Sequence, residues 1–229
     1  MLKPKKKISK RELKQDSLLT TYMQVTGFYD QYKKQISIGI TAFVVVIVAL
    51  VIFLKNRADS NEQALTQLAA VHAVYDAGQY QQAIDGVPAQ NIRGLKEIVD
   101  NHSGTRGGDL AGFYLADAYF QLGKYAEALE AFESCDASEA LVESSRLAGI
   151  AASHEALGQF ADAARYFEKA AGEDVTEGTA AENLNNAARN FALAGDKERA
   201  IDILKRIKKS YPTTTYGREA DRFIAQLSL

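Results

Sequence analysis

The chain has 229 residues, of which 47% are hydrophobic and 24% are charged, a composition typical of folded proteins that argues against disorder. Its three prolines permit long helices nearly everywhere, and its single cysteine, Cys135, excludes an intramolecular disulfide. The net charge of −2 conceals a split, because residues 1–35 carry nine Lys/Arg against three acids, whereas residues 58–229 carry sixteen against twenty-six. This asymmetry favours a membrane-associated basic tail followed by an acidic domain.

Residues 1–35 are predicted to form a basic cytoplasmic tail with an amphipathic juxtamembrane helix. Ser9 and Glu12 fit the capping box that begins such a helix. A stripe of large side chains then recurs at alternating spacings of four and three, which places them on one helix face. The stripe consists of Leu18, Tyr22, Val25, Tyr29, Tyr32 and Ile36.

Two roles fit this tail: binding of anionic membrane lipids, or docking on the cytoplasmic face of a membrane complex. A nucleic-acid-binding tail also fits the run KPKKKISKR. Basic residues beside a membrane span more often determine topology, so no nucleic-acid partner is expected.

Residues 36–54, from Ile36 to Leu54, form an uncharged apolar run of nineteen residues. As a helix this run is roughly 28 Å long, close to the ~30 Å hydrocarbon core of a bilayer. A buried core segment would usually be shorter and less uniformly apolar. A cleaved signal peptide would not follow thirty-five residues of tail and would need a small-residue cleavage site. The run is therefore predicted to be a transmembrane anchor.

The flanking charges predict the direction of this anchor. Nine Lys/Arg precede it and only Lys55 and Arg57 follow it closely, which marks the N-terminal side as cytoplasmic. The predicted location is a bacterial inner membrane, crossed once, with the C-terminal domain in the periplasm. Residues 55–60 are expected to link the anchor to that domain.

Residues 61–229 contain an internal repeat with a spacing of about thirty-five residues. Three copies align on a glycine that is followed two positions later by Tyr125, Phe160 or Lys197, and a weaker fourth copy contains Gly78 and Tyr80. The residues predicted to pack the repeats together are Leu115, Tyr119, Gly123, Tyr125, Ala128 and Phe132 in the first copy, Ile150, His154, Gly158, Phe160, Ala163 and Phe167 in the second, and Phe191, Gly195, Ala200 and Leu204 in the third.

This pattern resembles the tetratricopeptide repeat family, whose unit is a helix–turn–helix hairpin. The resemblance implies an all-α fold, in which the single N-terminal transmembrane helix is followed by a tetratricopeptide-type α-solenoid with stacked hairpins. The small residues would allow close helix approach, the large ones would fill the space between hairpins, and each glycine would end a first helix in the left-handed conformation.

A second similarity relates two segments at a constant offset of 109, so that His102, Thr105 and Gly108 correspond to Tyr211, Thr214 and Gly217. Each segment would join a second helix to the first helix of the next unit. The offset predicts a second helix over residues 93–101 after an insertion at residues 86–92. It also predicts a final helix over residues 215–227 that covers the end of the solenoid.

No catalytic, cofactor-binding or metal-binding residue is predicted. His154 occupies the position of Tyr119 and Phe191 in the other copies, which indicates a packed side chain between helices. His72 and His102 have no metal-ligand spacing and no nucleophile motif beside them. No residue of the partner-binding surface can be assigned.

The arrangement of tail, single span and exported repeats is similar to the ancillary Sec translocon subunit family, although the basic tail here is longer. That resemblance implies a protein-binding scaffold without enzymatic activity, with translocon subunits, chaperones or exported chains as partners. A scaffold for envelope assembly or division, and a purely structural spacer, are the alternatives. An enzyme would require convergent His, Asp and Glu side chains on the concave face of the solenoid.

Overall fold

The structure is a computed structural model that describes residues 10–136, 140–173 and 176–228, with side chains described from residue 19 onward apart from 140 and 141. The basic residues before Lys10, Ser9 of the predicted capping box and the side chain of Leu18 lie outside this description. By their internal contacts the residues form two units, 1–56 and 57–229.

The first unit contains most of a long helix, α1, which runs from Lys10 to Asp76 and continues into the second unit. Within the described residues it is the one helix long and apolar enough to cross a membrane, with a mean hydropathy of 3.0 over its most apolar window. That window is not buried against the rest of the chain. Tyr22, Val25 and Tyr29 of the predicted stripe are likewise exposed. The residues expected to link anchor and domain, 55–60, are helical.

In the second unit, helices pair into antiparallel hairpins. The end of α1 pairs with two short helices, three regular hairpins follow, and one further helix comes last. The helices after α1 are α2 (Tyr80–Asp85), α3 (Leu95–His102), α4 (Arg106–Gln121), α5 (Tyr125–Ser134), α6 (Ala140–Ala156), α7 (Phe160–Glu173), α8 (Glu177–Leu193), α9 (Lys197–Ser210) and α10 (Thr215–Leu227). The final helix has the predicted bounds.

A small β-hairpin is the departure from an all-helical chain within the described residues. β1 (Gly86–Val87) pairs antiparallel with β2 (Ile92–Arg93) around the 3-10 turn Pro88–Gln90. It fills the predicted insertion. The helix expected over residues 93–101 is α3, which begins at Leu95 because Arg93 pairs with Gly86 in the strand ladder.

Three clusters of buried side chains form a core along the hairpins. The first cluster lies between the end of α1 and helices α2 to α4, and the second lies between α4, α5 and α6. The third is formed by the five helices from α6 to α10. Alanines contribute much of this core, including Ala111, Ala128 and Ala187, all fully buried. Because alanine has no side chain beyond Cβ, helices that meet through it approach closely, and the larger residues then interdigitate between hairpins.

One close approach fixes the stacking of α5 on α6. A Cβ atom added at Gly149 of α6 would lie 2.4 Å from the Phe132 ring of α5. Phe132 is only 2% exposed and also meets Phe113 of α4, with ring centroids 5.7 Å apart. The ring therefore fills a space that exists only because residue 149 has no side chain.

The turns inside the hairpins share one backbone conformation. Gly78, Gly123, Gly158 and Gly195 have φ values between 71° and 89° and follow the end of α1, α4, α6 and α8. Residues with a Cβ rarely adopt this left-handed conformation at a helix end, and glycine does so without steric cost. The predicted helix ends are therefore present in all three copies, and also in the weaker fourth copy, which contains Gly78.

The two segments related by the offset of 109 have the same geometry. Thr105 Oγ1 donates a hydrogen bond to the His102 carbonyl at 2.7 Å and accepts one from the Gly108 amide at 3.1 Å. Thr214 makes the corresponding bonds at the same two distances, with the Tyr211 carbonyl and the Gly217 amide. Each threonine thus caps a first helix and holds it to the preceding second helix.

Candidate protein-binding surface

The first helices of the hairpins lie beside one another along one side of the second unit. The backbones of α4 and α6 approach each other, as do those of α8 and α10, whereas the second helices α7 and α9 meet through the long side chains of Glu168, Arg199 and Arg206. Helices that approach on one side and diverge on the other give a curved array. We call the inner side of this array, formed by the end of α1 with α4, α6, α8 and α10, the first-helix face. Concave surfaces of this type bind proteins in helical solenoids.

The structure places the sixteen residues predicted to pack the repeats in three environments. The glycines are exposed at the turns, four larger residues are half-buried, and the remainder are in the core. Half-buried are Tyr119, Tyr125, His154 and Phe160; buried are Leu115, Ala128, Phe132, Ile150, Ala163, Phe167, Phe191, Ala200 and Leu204. Leu115 faces the cluster beside α1, Phe132 and Ile150 meet in the second cluster, and Phe167 and Phe191 meet in the third.

At its N-terminal end the first-helix face has a half-exposed cluster of rings and carboxylates, which we call the tyrosine–aspartate cluster. Its members come from the end of α1 and from α4, and they are His72, Tyr75, Asp76, Tyr114 and Asp117. The Tyr75 ring contacts the Tyr114 ring with centroids 5.2 Å apart, and the His72 ring contacts the Tyr114 ring at 5.0 Å. Both contacts are edge-to-face, the geometry that the ring quadrupoles favour.

Hydrogen bonds join the polar atoms of this cluster into two separate networks. The Tyr75 hydroxyl donates to Asp117 Oδ2, and the second Asp117 oxygen lies 3.4 Å from the Gln121 amide nitrogen. His72 lies between Asp76, 2.9 Å from Nδ1, and the Tyr114 hydroxyl, 3.1 Å from Nε2. Burial and the neighbouring Asp117 carboxylate raise the pKa of Tyr75 well above its usual value, so this phenol stays protonated and keeps donating.

Further along the face, α6 and α8 are joined by an ion pair. Arg189 donates to both carboxylate oxygens of Glu155 at 2.9 and 2.8 Å. The fully buried Asn190 donates to the same carboxylate at 2.8 Å. Glu155 is thus bound by two donors from the neighbouring repeat, and this part of the face is polar and ordered.

An apolar groove with a cavity of about 380 Å³ lies at the C-terminal end of the second unit, between α8 and α10. Leu193, Phe223 and Leu227 line it, with Arg189 and Gln226 at its polar edge. Leu193 is 55% exposed, a large fraction for a leucine outside the apolar span.

The other two histidines and the single cysteine lie in packed or hydrogen-bonded surroundings. His154 is half-buried and stacks on Tyr166 of α7, with ring centroids 5.3 Å apart. His102 is buried and its Nδ1 lies 2.9 Å from the Ser60 hydroxyl. Burial raises the pKa of the Cys135 thiol to about 11, which keeps it in its unreactive protonated form at neutral pH. Among the described residues, no group of three His, Cys, Asp or Glu side chains could hold a metal ion.

The sequence pattern did not reveal the tyrosine–aspartate cluster. The bonds between His72 and Tyr114 and between Tyr75 and Asp117 each join residues 42 positions apart. The insertion lengthens the first unit, so this spacing does not match the repeat of about thirty-five residues. Alignment of Gly78 with Gly123 was the one sequence signal that pointed to the cluster. It places Tyr75 and Asp117 near the C-terminal ends of consecutive first helices.

Comparison with known proteins agrees with the repeat pattern. The sequence profile of the tetratricopeptide repeat matches residues 110–137 and 186–214. The fold is similar to crystal structures of nearly identical TPR-like repeats from Podosopora anserina, described as those of a kinesin light chain. One of these structures has a TM-score of 0.53 and 18% sequence identity, covering 73% of this chain and 86% of that one. A point variant of the same repeats gives the same TM-score and identity over 73% and 85% of the two chains.

No curated protein sequence matches the chain at a significant level. The repeat matches and the fold define the class: the second unit is a tetratricopeptide-type α-solenoid, and it follows a long apolar N-terminal helix. Solenoids of this class are protein-interaction scaffolds. At 18% identity the structural likeness extends to the fold alone.

Proposed function

We propose that this protein is a membrane-anchored scaffold that binds other proteins on the first-helix face of its solenoid. One observation supports this most strongly: the face combines half-exposed tyrosines with carboxylates and a cross-repeat ion pair. Tyrosine and arginine are enriched at the energetic centres of protein interfaces. The half-exposed side chains there are held by neighbours, so a partner would meet a preformed surface at a small cost in conformational entropy.

The anchor is residues 36–54, with the tail on the cytoplasmic side and the solenoid on the periplasmic side of a bacterial inner membrane. The apolar, exposed helix supports the span, and the excess of Lys/Arg before it supports the direction. The tail then meets anionic lipid headgroups through its basic residues. Alkaline carbonate extraction tests the anchor, since an integral protein stays in the pellet. A reporter that is active only in the periplasm, fused after Leu229, tests the direction, and an inactive fusion would overturn it.

Translocon subunits, periplasmic chaperones and exported chains are the partners that we propose, on the basis of the arrangement of tail, span and repeats. Envelope-assembly or division proteins are the second candidates, and they fit the same arrangement. The two sets differ in the proteins that would lie on the first-helix face in the cell.

Site-specific photo-crosslinking in cells tests this function. A photoreactive amino acid replaces Tyr114 or Asn185 on first helices, and Glu130 or Arg165 on second helices as matched surface controls. We expect discrete crosslinked proteins from the first-helix positions only, identified by mass spectrometry as translocon or chaperone components. Envelope-assembly components from the same positions would favour the second candidates. Absence of crosslinks from all four positions would indicate a spacer and contradict the proposal.

A further inference from the structure

The charge of the second unit is concentrated in its N-terminal half. Residues 58–136 contain four Lys/Arg and twelve Asp/Glu, a net charge of −8. Residues 140–229 contain twelve Lys/Arg and thirteen Asp/Glu, a net charge of −1. The first two hairpins therefore produce a negative potential that attracts cations and repels anions, whereas the last two are nearly balanced.

Aromatic rings lie at the surface of this negative half. The Tyr75 ring lies between Tyr80, with a centroid distance of 5.3 Å, and Tyr114, at 5.2 Å, and Phe113 continues the series at 5.9 Å from Tyr114. All four rings are half-buried, so each has part of its surface open to solvent. The negative face of an aromatic ring attracts a Lys or Arg side chain, more strongly when the site is partly desolvated.

Two carboxylates lie beside these rings. Asp117 accepts from Tyr75, and Asp76 lies against His72, but a carboxylate has about four acceptor positions and keeps some of them free. In the same half of the solenoid, Lys124 Nζ lies 5.8 Å from the Tyr119 ring centroid and donates to Gln81 at 3.0 Å. It already shows the ring-and-oxygen coordination that a further cation would find in the tyrosine–aspartate cluster.

We propose that the tyrosine–aspartate cluster binds an arginine- or lysine-bearing extended segment of a partner protein. The cationic side chain would lie over the exposed surface of the Tyr75 and Tyr114 rings and donate hydrogen bonds to Asp117 and Asp76. The geometry favours arginine, because a planar guanidinium stacks on a ring and reaches a carboxylate at the same time. This inference deepens the proposed function, on which it rests, by defining the partner's chemistry.

Peptide binding to the full-length protein in nanodiscs of zwitterionic phosphatidylcholine tests the proposal. Three fluorescein-labelled Gly-Ser peptides of equal length carry arginine, glutamine or glutamate at the same positions, and fluorescence anisotropy measures their dissociation constants. We expect the arginine peptide to bind, with an affinity that falls as salt increases, and the glutamine and glutamate peptides to bind at least about tenfold more weakly.

Variants locate the binding. Tyr114→Leu removes the ring but keeps apolar bulk, and Asp117→Asn removes the charge; each should weaken arginine-peptide binding by about fivefold to tenfold. Glu130→Gln removes the same charge from α5 in the same half of the solenoid and should change binding less than about twofold. Tyr75→Phe keeps the ring and releases Asp117, so it should retain binding. Circular dichroism of each variant reports whether it is folded.

If Glu130→Gln and Asp117→Asn weakened arginine-peptide binding equally, the attraction would be diffuse and the proposal would be overturned. Binding of the glutamine peptide as tightly as the arginine peptide would also overturn it. These results differ from failure of the proposed function. Crosslinks from first-helix positions without arginine-peptide binding would leave the scaffold function standing and refute only the cationic partner. Absence of crosslinks from every position would refute the scaffold itself.

Discussion

Glu155 and Arg189 join α6 to α8 through two hydrogen bonds of 2.8 and 2.9 Å. Each residue has a fixed position relative to the glycine that ends its helix: Glu155 lies three residues before Gly158, and Arg189 lies six before Gly195. Tyr75 and Asp117 have the same positions relative to Gly78 and Gly123, and they too are hydrogen-bonded. The same pair of positions therefore forms a polar joint at two places along the first-helix face.

The Glu155–Arg189 joint should contribute modestly to stability. Glu155→Gln keeps an acceptor for Asn190, and Arg189→Met keeps most of the alkyl chain, so the two variants and their combination form a double-mutant cycle. Because Arg189 is half-exposed, we expect a coupling energy of about 0.5–1 kcal/mol in urea unfolding at low salt. The coupling should shrink in high salt. A coupling of zero at low salt would show that the pair contributes nothing.

Gly149→Ala should destabilise the solenoid, because the new methyl group would overlap the Phe132 ring. Overpacking of this kind costs about 1–3 kcal/mol, and the urea midpoint should fall accordingly. Gly172→Ala is the matched control, since residue 172 is also helical but has no atom within 4 Å of the added Cβ. That variant should be neutral, or more stable by up to about 1 kcal/mol. Equal effects of the two substitutions would contradict the stacking of α5 on α6.

The helix caps at Thr105 and Thr214 should be equivalent in energy, since their hydrogen bonds are the same. Loss of each cap in Thr105→Ala or Thr214→Ala should reduce the free energy of unfolding by about 1 kcal/mol. The exposed Thr213 makes no cap, and Thr213→Ala should have little effect. Thermal unfolding of the three variants checks this expectation, and a Thr213 effect as large as that of Thr214 would refute it.

The Cys135 thiol should react slowly while the protein is folded. Burial raises its pKa to about 11 even though the charge of Arg146 opposes this, so at pH 8 only about one thiol in a thousand is ionised. Alkylation by iodoacetamide should therefore be at least about 100-fold slower in the folded protein than in urea. Equal rates would show that the thiol is exposed.

The same shift has a consequence for stability. Folding favours the protonated thiol, so this contribution is present below the unfolded pKa of about 8.5 and is lost as the pH rises through about 11. Cys135→Ser removes the contribution in the alkaline range, and its free energy of unfolding should fall less steeply with pH there than that of the unchanged protein.

Much of the fold could be predicted from local signals in the sequence. The glycines at 123, 158 and 195 mark helix ends because the left-handed conformation depends on the residue itself. The offset of 109 located the final helix because each junction of a second helix with the next first helix has a capping threonine and a glycine. A Cβ atom added at either glycine, Gly108 or Gly217, would lie 2.0 Å from a carbonyl oxygen of the preceding helix end. These requirements are local, so a single sequence displays them.

The tyrosine–aspartate cluster could not be predicted in this way. The sequence separation of its bonded residues includes a β-hairpin insertion at residues 86–93, so this separation differs from the repeat spacing. Nothing in the local sequence of Tyr75 or Asp117 specifies which residue it will bond, because each is an ordinary helical residue until the helices are packed. Which surface residues come together is a property of the tertiary structure.

Hydrogen–deuterium exchange of the full-length protein, with and without the partner recovered by crosslinking, tests most directly whether the first-helix face binds proteins. We predict that partner binding slows exchange in the end of α1, α4, α6 and α8, and leaves α5, α7 and α9 unchanged. Protection confined to α5, α7 and α9, or no change in any helix of the solenoid, would contradict this prediction.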